Sequence, residues 1–322
     1  MPQRIFITGT AGFIGFHLAK RLLDAGHEVF GVDNFNDYYS VQLKHGRHAQ
    51  LERYPNYQWR KCDLCDFELM HLLMTAFRPD CVVNLAAQAG VRYSVENPRA
   101  YQRSNVEGFL NVLECCRGLA ARPRLIYASS SSVYGGNKAL PFTEDQPVDN
   151  PVSLYAATKK ANELMAHSYS RLFGLQAIGL RFFTVYGPWG RPDMAYWLFA
   201  EQLLQGQPIR VFNHGEMWRD FTYIDDVVAG VAGCVEAPSL PQCDVFNIGN
   251  HRSEKLTDFI RLIADSLGVS HPEMTLLPMQ DGDVLATYAS VAKLHAAIGY
   301  EPATPISVGI PKFVEWFKNY RK

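Results

Sequence analysis

Short apolar runs alternate with longer segments of helical apolar spacing over the first half of the chain. The short runs predict strands near residues 4–8, 28–33, 57–61, 80–85, 123–129 and 176–182. The longer segments predict helices near residues 13–25, 40–53, 67–76, 98–119 and 154–173. Strands that alternate with helices are typical of a parallel sheet covered by helices on both faces. We therefore expect an α/β fold with a doubly wound parallel sheet.

The alternation ends near residue 183. A Gly/Pro loop follows, and then come a predicted helix at 194–205, strands at 207–212, 219–223 and 245–249, and an amphipathic helix at 256–267. These segments predict a smaller α/β C-terminal lobe that covers the ligand edge of the sheet. We assign residues 1–182 to the first domain, with segments near 219–249 returning to it, and residues 183–218 and 250–322 to the lobe.

A glycine-rich turn joins the first strand to the first helix. Gly9, Gly12 and Gly15 are spaced three residues apart, and such glycines allow a backbone to approach a pyrophosphate at a helix N-terminus. Asp33 ends the second strand, 18 residues after Gly15, where a carboxylate accepts bonds from ribose hydroxyls and repels a 2′-phosphate. Glycines alone also mark an ordinary turn, but this order predicts a dinucleotide-binding (Rossmann) domain that takes NAD rather than NADP.

Tyr155 and Lys159 are four residues apart on a predicted helix. That spacing puts the phenol and the ammonium on one helical face. A nearby cation favours phenolate over phenol, so we expect Lys159 to lower the pKa of Tyr155. The pair would then act as a general base that removes a proton from an alcohol.

Four consecutive serines, at positions 129–132, follow the predicted strand 123–129. The carboxyl end of such a strand faces the ligand crevice of a doubly wound sheet. A serine hydroxyl there can hydrogen bond an oxygen that alternates between alcohol and ketone. A serine-rich turn is the simpler alternative, and the Tyr155–Lys159 pair favours the catalytic interpretation.

Composition excludes several classes of protein. The 322 residues carry a net charge of −1, with 48% hydrophobic and 20% charged residues, which favours neither nucleic acid nor a membrane surface as a partner. No apolar run reaches the roughly 18 residues that a membrane-spanning helix needs. The first predicted strand begins within five residues of Met1, so we expect no signal peptide and a cytoplasmic location.

Seven scattered cysteines suit a reducing compartment. Cys62 and Cys65 form a CxxC pair, but no second pair stands at zinc-like spacing, so we predict free thiols and no metal site.

Several of these motifs together resemble the extended short-chain dehydrogenase/reductase family. They are residues 9–15, 33, 63–64, 84–87, 129–135 and 155–159. A more specific resemblance, to the UDP-glucuronate 4-epimerases of that family, is carried by residues 33–39, 88–94 and 181–192, and the similarity runs nearly end to end.

The resemblance implies an isomerase that inverts C4 of a UDP-sugar, most specifically UDP-glucuronate to UDP-galacturonate. Tyr155 would take the proton of the 4-hydroxyl, Lys159 would stabilise the phenolate and bond the nicotinamide ribose, and Ser130 would bond the 4-oxygen. Hydride would pass from C4 to NAD and return to the opposite face of a transient 4-keto sugar.

The resemblance also implies two sets of binding residues. The cofactor would contact Gly9, Gly12, Phe13, Ile14, Gly15, Asp33, Asn34, Asn36, Asp63, Leu64, Leu85, Ala86, Ala87, Tyr155 and Lys159. The nucleotide sugar would contact Arg92, Ser130, Ser131, Ser132, Thr184, Arg191, Arg219 and Asp283. Arg219 would clamp the diphosphate and Arg191 would meet the sugar carboxylate; a surface ion pair and a solvated loop arginine are their respective alternatives.

Related dehydratases carry acidic residues where this chain has Ser131 and Ser132, so the expected reaction is epimerisation without elimination. UDP-glucose or UDP-galactose is the alternative substrate, and a non-catalytic NAD or nucleotide-sugar sensor is the remote alternative. Family members commonly pair through a four-helix bundle, so we expect a homodimer built from the helices near 98–119 and 154–173. Burial of their apolar faces within one subunit is the alternative.

Overall fold

Parallel strands form the centre of the molecule. The computed structural model describes residues 1–279 and 284–321. The strands are β1 (Arg4–Thr8), β2 (Glu28–Asp33), β3 (Tyr57–Lys61), β4 (Cys81–Asn84), β5 (Arg124–Ser130), β6 (Ala177–Phe182), β7 (Thr184–Tyr186), β8 (Ile209–Val211), β9 (Trp218–Arg219), β10 (Phe221–Tyr223), β11 (Cys243–Ile248), β12 (Glu254–Lys255) and β13 (Met274–Leu276). Seven of them, in the order β3-β2-β1-β4-β5-β6-β11, make one wholly parallel sheet.

The helices follow the strands in alternation through the first half of the chain. They are α1 (Phe13–Asp24), α2 (Val41–Leu51), α3 (Phe67–Phe77), α4 (Tyr93–Glu96), α5 (Pro98–Tyr101), α6 (Gly108–Gly118), α7 (Leu154–Phe173), α8 (Ala195–Leu204), α9 (Ile224–Glu236), α10 (Leu256–Leu267), α11 (Ala292–Ile298) and α12 (Ile306–Tyr320). A π-helical turn spans Gln102–Glu107, and 3-10 turns span Ser131–Tyr134 and Phe212–Gly215. No helix in the described ranges is both long and apolar enough to cross a bilayer.

Both faces of the sheet are buried at the central strands β1, β4, β5 and β6, whereas the edge strand β3 is exposed beyond Tyr57. Ile5 and Ile7 of β1 enter the core shared with α1 and α9, whereas Phe6 between them enters the core shared with α3 and α6. Successive side chains of a strand point to opposite faces, so one five-residue strand supplies two cores. The predicted α/β fold with a doubly wound parallel sheet is confirmed.

The predicted helix over 98–119 is wrong in its continuity. The chain passes from α5 through the π-helical turn into α6, and Asn105 lies buried inside that turn. Its side chain accepts from the Gln88 N–H at 2.8 Å and donates to the Thr158 hydroxyl at 3.1 Å. The wider π-helical turn therefore frees the Asn105 side chain from the helix surface. That side chain then links α7 with the loop that follows β4.

The predicted strand over 219–223 is divided by Asp220. Its buried carboxylate accepts from the N–H groups of Asn250 at 2.6 Å and Ala289 at 3.0 Å, and from the Thr222 hydroxyl. Burial raises the pKa of Asp220 to about 6. This inward side chain separates β9, which pairs with β12, from β10, which pairs with β7.

The segments after β6 are shared between the central sheet and the outer lobe. β11 adds to the sheet beside β6, and α9 packs against α1. β8 and β13 pair beyond the sheet edge, where α8 contacts β8 and α10 packs against both α8 and α12. The domain limits given above stay a prediction.

Candidate active site

A single cavity of about 1150 Å³ runs along the carboxyl edge of the sheet and under the lobe. Ligand pockets usually hold about 300–1,000 Å³, so this space suits two ligands. All the predicted cofactor and substrate residues in the described ranges line it, whereas Asp283 lies outside the described residues. The sequence therefore located the cavity wall, and the role of each residue stays a prediction.

The glycine turn is shaped by two close backbone approaches. Gly9 has a φ of +78°, and a Cβ there would stand 2.9 Å from the Ala86 nitrogen. A Cβ on Gly15 would stand 2.1 Å from the Gly9 carbonyl oxygen. Side chains at either position would force the turn open, so glycine is required for the path that brings the α1 N-terminus to the cavity.

Asp33 connects this turn to the end of β2. Its buried carboxylate accepts from the N–H of Ala11 at 3.0 Å and from that of Phe35 at 2.8 Å. Each carboxylate oxygen can accept a further hydrogen bond. The position fits the predicted ribose contact, because Asp33 is fixed by the same turn that would hold the pyrophosphate.

The far end of the cavity is polar and rigid. Asn34 donates to the Asp63 carboxylate at 3.1 Å, and the N–H of Cys65 donates to it at 2.9 Å. Burial would raise the pKa of Asp63, but these two donors hold it below its usual value. Lys44 donates to the backbone oxygen of Asn36 at 2.6 Å and to its side chain at 2.7 Å. These bonds hold the loop after β2, where an adenosine would lie.

Tyr155 and Lys159 both reach the cavity from the first turns of α7, whose N-cap is Ser153. The prediction that Lys159 lowers the pKa of Tyr155 is wrong in this structure. Burial raises the pKa of Tyr155, and the opposing influences are a hydrogen bond with Ser130 and the charge of Arg191. Lys159 instead donates to the Ala128 carbonyl at 2.9 Å, and burial lowers its own pKa to about 8.

The consecutive serines at the end of β5 divide by the alternation of the strand. Ser129 donates to the Glu163 carboxylate at 2.6 Å, on the buried side of α7. The Ser130 hydroxyl opposes the effect of burial on the pKa of Tyr155, and it lies 3.2 Å from the Ser132 hydroxyl. Ser131 and Ser132 begin the 3-10 turn, whose N-cap is Ser130. Ser130 is therefore the serine that meets the phenol.

Glu163 forms a buried, bidentate ion pair with Arg181 of β6. Its two oxygens accept from Arg181 Nε at 2.8 Å and from Nη2 at 2.9 Å. Burial opposes the charge of Arg181, but Glu163 raises its pKa well above the usual range. Tyr134 accepts from the same guanidinium at 3.0 Å and donates to Asn247 at 2.7 Å. The network holds α7, β5 and β6 in fixed register beneath the serines.

Arg191 enters the cavity from the loop after β7. It forms a two-bond ion pair with Asp193, whose carboxylate also accepts from the Tyr38 hydroxyl at 3.1 Å. Burial would raise the pKa of Asp193, but the Arg191 charge holds it below its usual value. Arg191 therefore has a carboxylate partner on its own loop, and its contact with the sugar carboxylate stays a prediction.

The lobe side of the cavity is basic and aromatic. Two guanidinium groups contact the Phe212 ring, that of Arg92 at 5.4 Å from the ring centroid and that of Arg210 at 5.7 Å. Arg219 donates to the carbonyls of Trp218 at 2.9 Å and Leu285 at 3.2 Å. Thr184, the first residue of β7, lines the cavity between this region and Ser130.

The cysteines take no part in this arrangement as metal ligands. All seven are free thiols, and burial raises the pKa values of Cys62 and Cys65 to about 11. The described residues contain no group of three His, Cys, Asp or Glu side chains arranged to hold a metal ion.

The fold and the glycine turn define a dinucleotide-dependent protein, and comparison with known proteins identifies its family. Residues 5–249 match the NAD dependent epimerase/dehydratase family, and the chain belongs to it.

Individual relatives match over nearly the whole chain. It is 48% identical to protein CapI of Staphylococcus aureus, over 99% of this chain and 100% of that protein. It is 43% identical to a probable UDP-glucuronate 4-epimerase of Rhizobium meliloti, over 99% and 98% of the two chains. The crystal structure of UDP-glucuronic acid 4-epimerase from Bacillus cereus, in complex with UDP-glucuronic acid and NAD, superposes with a TM-score of 0.93 at 32% identity, over 98% and 99% of the two chains.

The sequence analysis missed the residues that support the site from outside the cavity, namely Asn105, Glu163 and Arg181. Gly108, inside the predicted helix 98–119, was the available sign of an irregular turn, because an interior glycine weakens a helix. No comparable sign marked Glu163, because nothing in the sequence around it interrupts the helical pattern.

We predict that Gly15→Ala weakens NAD binding by more than about tenfold, or about 1.4 kcal/mol. The added Cβ would overlap the Gly9 carbonyl and displace the turn. Calorimetric titration of the folded variant with NAD measures the effect. Gly136→Ala is the matched control, because a Cβ there meets no atom within 4 Å. Equal affinity in the two variants would contradict this interpretation of the turn.

Proposed function

We propose that this protein is an NAD-dependent 4-epimerase of UDP-sugars that converts UDP-glucuronate to UDP-galacturonate. The observation that carries the proposal is that Tyr155 and Ser130 line one cavity together with the glycine turn and the basic lobe. That placement brings a sugar hydroxyl, a general base and a dinucleotide into one space.

The chain's residues fit bound NAD in three ways. The turn from Gly9 to Gly15 leaves room for a pyrophosphate, Asp33 presents a carboxylate for the ribose, and Asp63 with Leu64 faces the adenosine end. Bound NAD would supply a hydride acceptor that takes hydrogen from C4 of the sugar and gives it back.

The proton of the reaction is handled by α7 and β5. Tyr155 accepts the proton of the 4-hydroxyl and later returns it, while Ser130 holds the 4-oxygen through its own hydroxyl. Burial disfavours the tyrosinate, so the ionised form depends on the donor Ser130 and on positive charge nearby. Lys159, held by the Ala128 carbonyl, is placed to bond the ribose, and Arg191 is the nearby positive charge that favours the tyrosinate.

Inversion requires the sugar to present its other face, which the size of the cavity permits. The diphosphate would stay near Arg219, and the nucleobase near Phe212 and the arginines on each side of it. Ser131 and Ser132 provide hydroxyls and no carboxylate, so elimination of water lacks a base at that position.

A uronate is favoured over a neutral hexose by the groups near the serines. Arg191, Thr184 and the serine hydroxyls offer one cation and several donors to a carboxylate. Because Asp193 already pairs with Arg191, the sugar carboxylate would share this cation or replace Asp193 on it. The relatives named above as UDP-glucuronate 4-epimerases support the same substrate.

We expect the purified protein, supplied with NAD, to convert UDP-glucuronate to UDP-galacturonate, resolved by chromatography and proton NMR. Tyr155→Phe should lower kcat by at least about 100-fold, because it removes the general base, while NAD binding persists. A faster conversion of UDP-glucose than of UDP-glucuronate would favour the neutral-sugar alternative. Full activity in Tyr155→Phe would contradict the mechanism.

The two neighbouring serines give a sharper test of the site. Ser130→Ala should lower kcat by about 100-fold, a loss far beyond the ~1 kcal/mol of stability that its cap on the 3-10 turn contributes. Ser129→Ala should change kcat far less but destabilise the fold by about 1 kcal/mol, since it removes a donor from Glu163. Activity assays and thermal unfolding measure the two effects, and a reversed pattern would exclude the assignment of Ser130.

We also propose a homodimer that works in the cytoplasm. Three leucines are exposed on the adjoining helices α6 and α7. Leu110 of α6 is 40% exposed, and Leu164 and Leu172 of α7 are 59% and 71% exposed. Such a face is suited to a two-fold helix pair. The free state of all seven cysteines supports a reducing compartment.

We predict that Leu164→Glu shifts the mass in solution, measured by light scattering, from dimer towards monomer. A charge on this face would have to be buried between the two subunits. Leu276→Glu, which alters a similarly exposed leucine of β13 in the lobe, should leave the mass unchanged. A monomeric wild-type protein would exclude the dimer.

A further inference from the structure

Arg47 of α2 is a charged side chain buried completely in the interior, outside the cavity wall. Its guanidinium donates to the carbonyls of Ala11 at 2.9 Å, Trp189 at 2.6 and 2.9 Å and Gly190 at 2.8 Å, and to the Tyr39 hydroxyl at 2.7 Å. All four acceptors are neutral oxygens. Burying a cation is costly without such bonds, so this set fixes several backbone atoms at one point.

The same stretch of backbone is held from a second side chain. His17 of α1 lies 2.9 Å from the Pro188 carbonyl. Burial lowers the pKa of His17 to about 4, so the ring is neutral at neutral pH, and Nε2 carries the proton that it donates. Side chains of α1 and α2 therefore hydrogen bond three consecutive backbone carbonyls, those of residues 188, 189 and 190.

Arg191 follows immediately after these three carbonyls. Trp189 adopts a φ of +58°, a conformation that bulky residues rarely take. Its ring packs between Phe16 of α1, at 5.9 Å, and Trp316 of α12, at 5.2 Å. The loop is thus held in a strained path by bonds to α1, which follows the glycine turn, and to α2, which bonds that turn through Arg47.

We propose that Arg47 is a positioning residue that fixes Arg191 relative to the glycine turn and thereby sets the preference for a uronate. Arg47 bonds Ala11 inside the turn and Trp189 and Gly190 before Arg191, so it joins the cofactor end to the carboxylate end of the cavity. The inference rests on the proposed function for the identity of the substrate. A misplacement of about 1 Å in a substrate-orienting group can cost about 100-fold in rate.

Arg124 provides a matched control, because its guanidinium also donates hydrogen bonds to several backbone carbonyls. It donates to those of Cys234 at 2.9 Å, Val235 at 3.2 Å and Ala237 at 2.9 Å. It begins β5 at the amino edge of the sheet, away from the cavity. An arginine that only stabilises the fold should behave as Arg124 does.

The experiment compares Arg47→Met, Arg124→Met, Arg191→Ala and the Arg47→Met/Arg191→Ala double variant, each supplied with NAD. We expect Arg47→Met to lower the ratio of kcat/KM for UDP-glucuronate to that for UDP-glucose by about tenfold or more. Arg124→Met should leave this ratio unchanged, whatever its effect on the melting temperature. The double variant should lose no more of the ratio than Arg191→Ala alone, because both changes act through one guanidinium.

Hydrogen exchange of peptides that cover residues 187–194 gives a readout independent of turnover. Exchange in this segment should be faster in Arg47→Met than in the wild type and unchanged in Arg124→Met. Unchanged exchange, an equal loss on both sugars, or additive losses in the double variant would overturn the inference. A wild-type protein without turnover of UDP-glucuronate would overturn the proposed function and the uronate part of this inference, while the exchange measurement would still decide whether Arg47 holds the loop.

If Arg47→Met does not fold, a pair at His17 replaces it. His17→Leu removes the donor to the Pro188 carbonyl, whereas His17→Gln keeps an N–H donor there. We expect a lower uronate preference and faster loop exchange in His17→Leu, and recovery of both in His17→Gln. The same uronate preference and the same loop exchange in the two variants would reject a role for these hydrogen bonds to the loop.

Discussion

The bidentate ion pair between Glu163 and Arg181 is the interaction on which the geometry of the site depends. It lies beneath the cavity and joins α7, which carries Tyr155 and Lys159, to β6. Ser129 also bonds Glu163, so the end of β5 is held in the same network. Removing one member of a buried pair costs about 3–5 kcal/mol, because the other charge is left without a partner. The network therefore fixes the distance between the Tyr155 phenol on α7 and the Ser130 hydroxyl at the end of β5.

Two different physical devices hold the two ends of the cavity. At the cofactor end, the absence of side chains on the glycines of the turn creates the space, and the Ala11 N–H of that turn helps to fix Asp33. At the sugar end, charged side chains with internal partners, such as Arg191 with Asp193, form the wall. Backbone cradles suit a pyrophosphate that is always the same, whereas side chains can be exchanged to suit different sugars.

The sequence predicted the central sheet well because its signals are local. Short apolar runs located β1 and β2 at their observed ends, and the predicted limits of β3 and α7 also match to the residue. The residues that line the cavity were found because they belong to motifs that are contiguous in the chain. The π-helical turn was missed because its cause, the bonds of Asn105 with Gln88 and Thr158, is tertiary.

The supporting contacts could not have been predicted from local patterns for the same reason. Arg47 meets the carbonyl of Trp189 across 142 positions of the chain, and Ser129 meets Glu163 across 34. The sign of the Tyr155 pKa shift was also missed, because spacing on a helix gives proximity but says nothing of burial. Desolvation of Tyr155 proved larger than the opposing effects of the Ser130 hydrogen bond and the Arg191 charge.

The Arg191–Asp193 pair has a consequence for how the pocket discriminates among ligands. A lone buried cation would penalise every uncharged guest, since that guest would strand the charge in a dry environment. Here the guanidinium keeps a resident counter-ion, so a neutral sugar would enter without that penalty. Selectivity for an anionic sugar then has to arise from an exchange of one carboxylate for another, a balance set by small differences between two similar bonds.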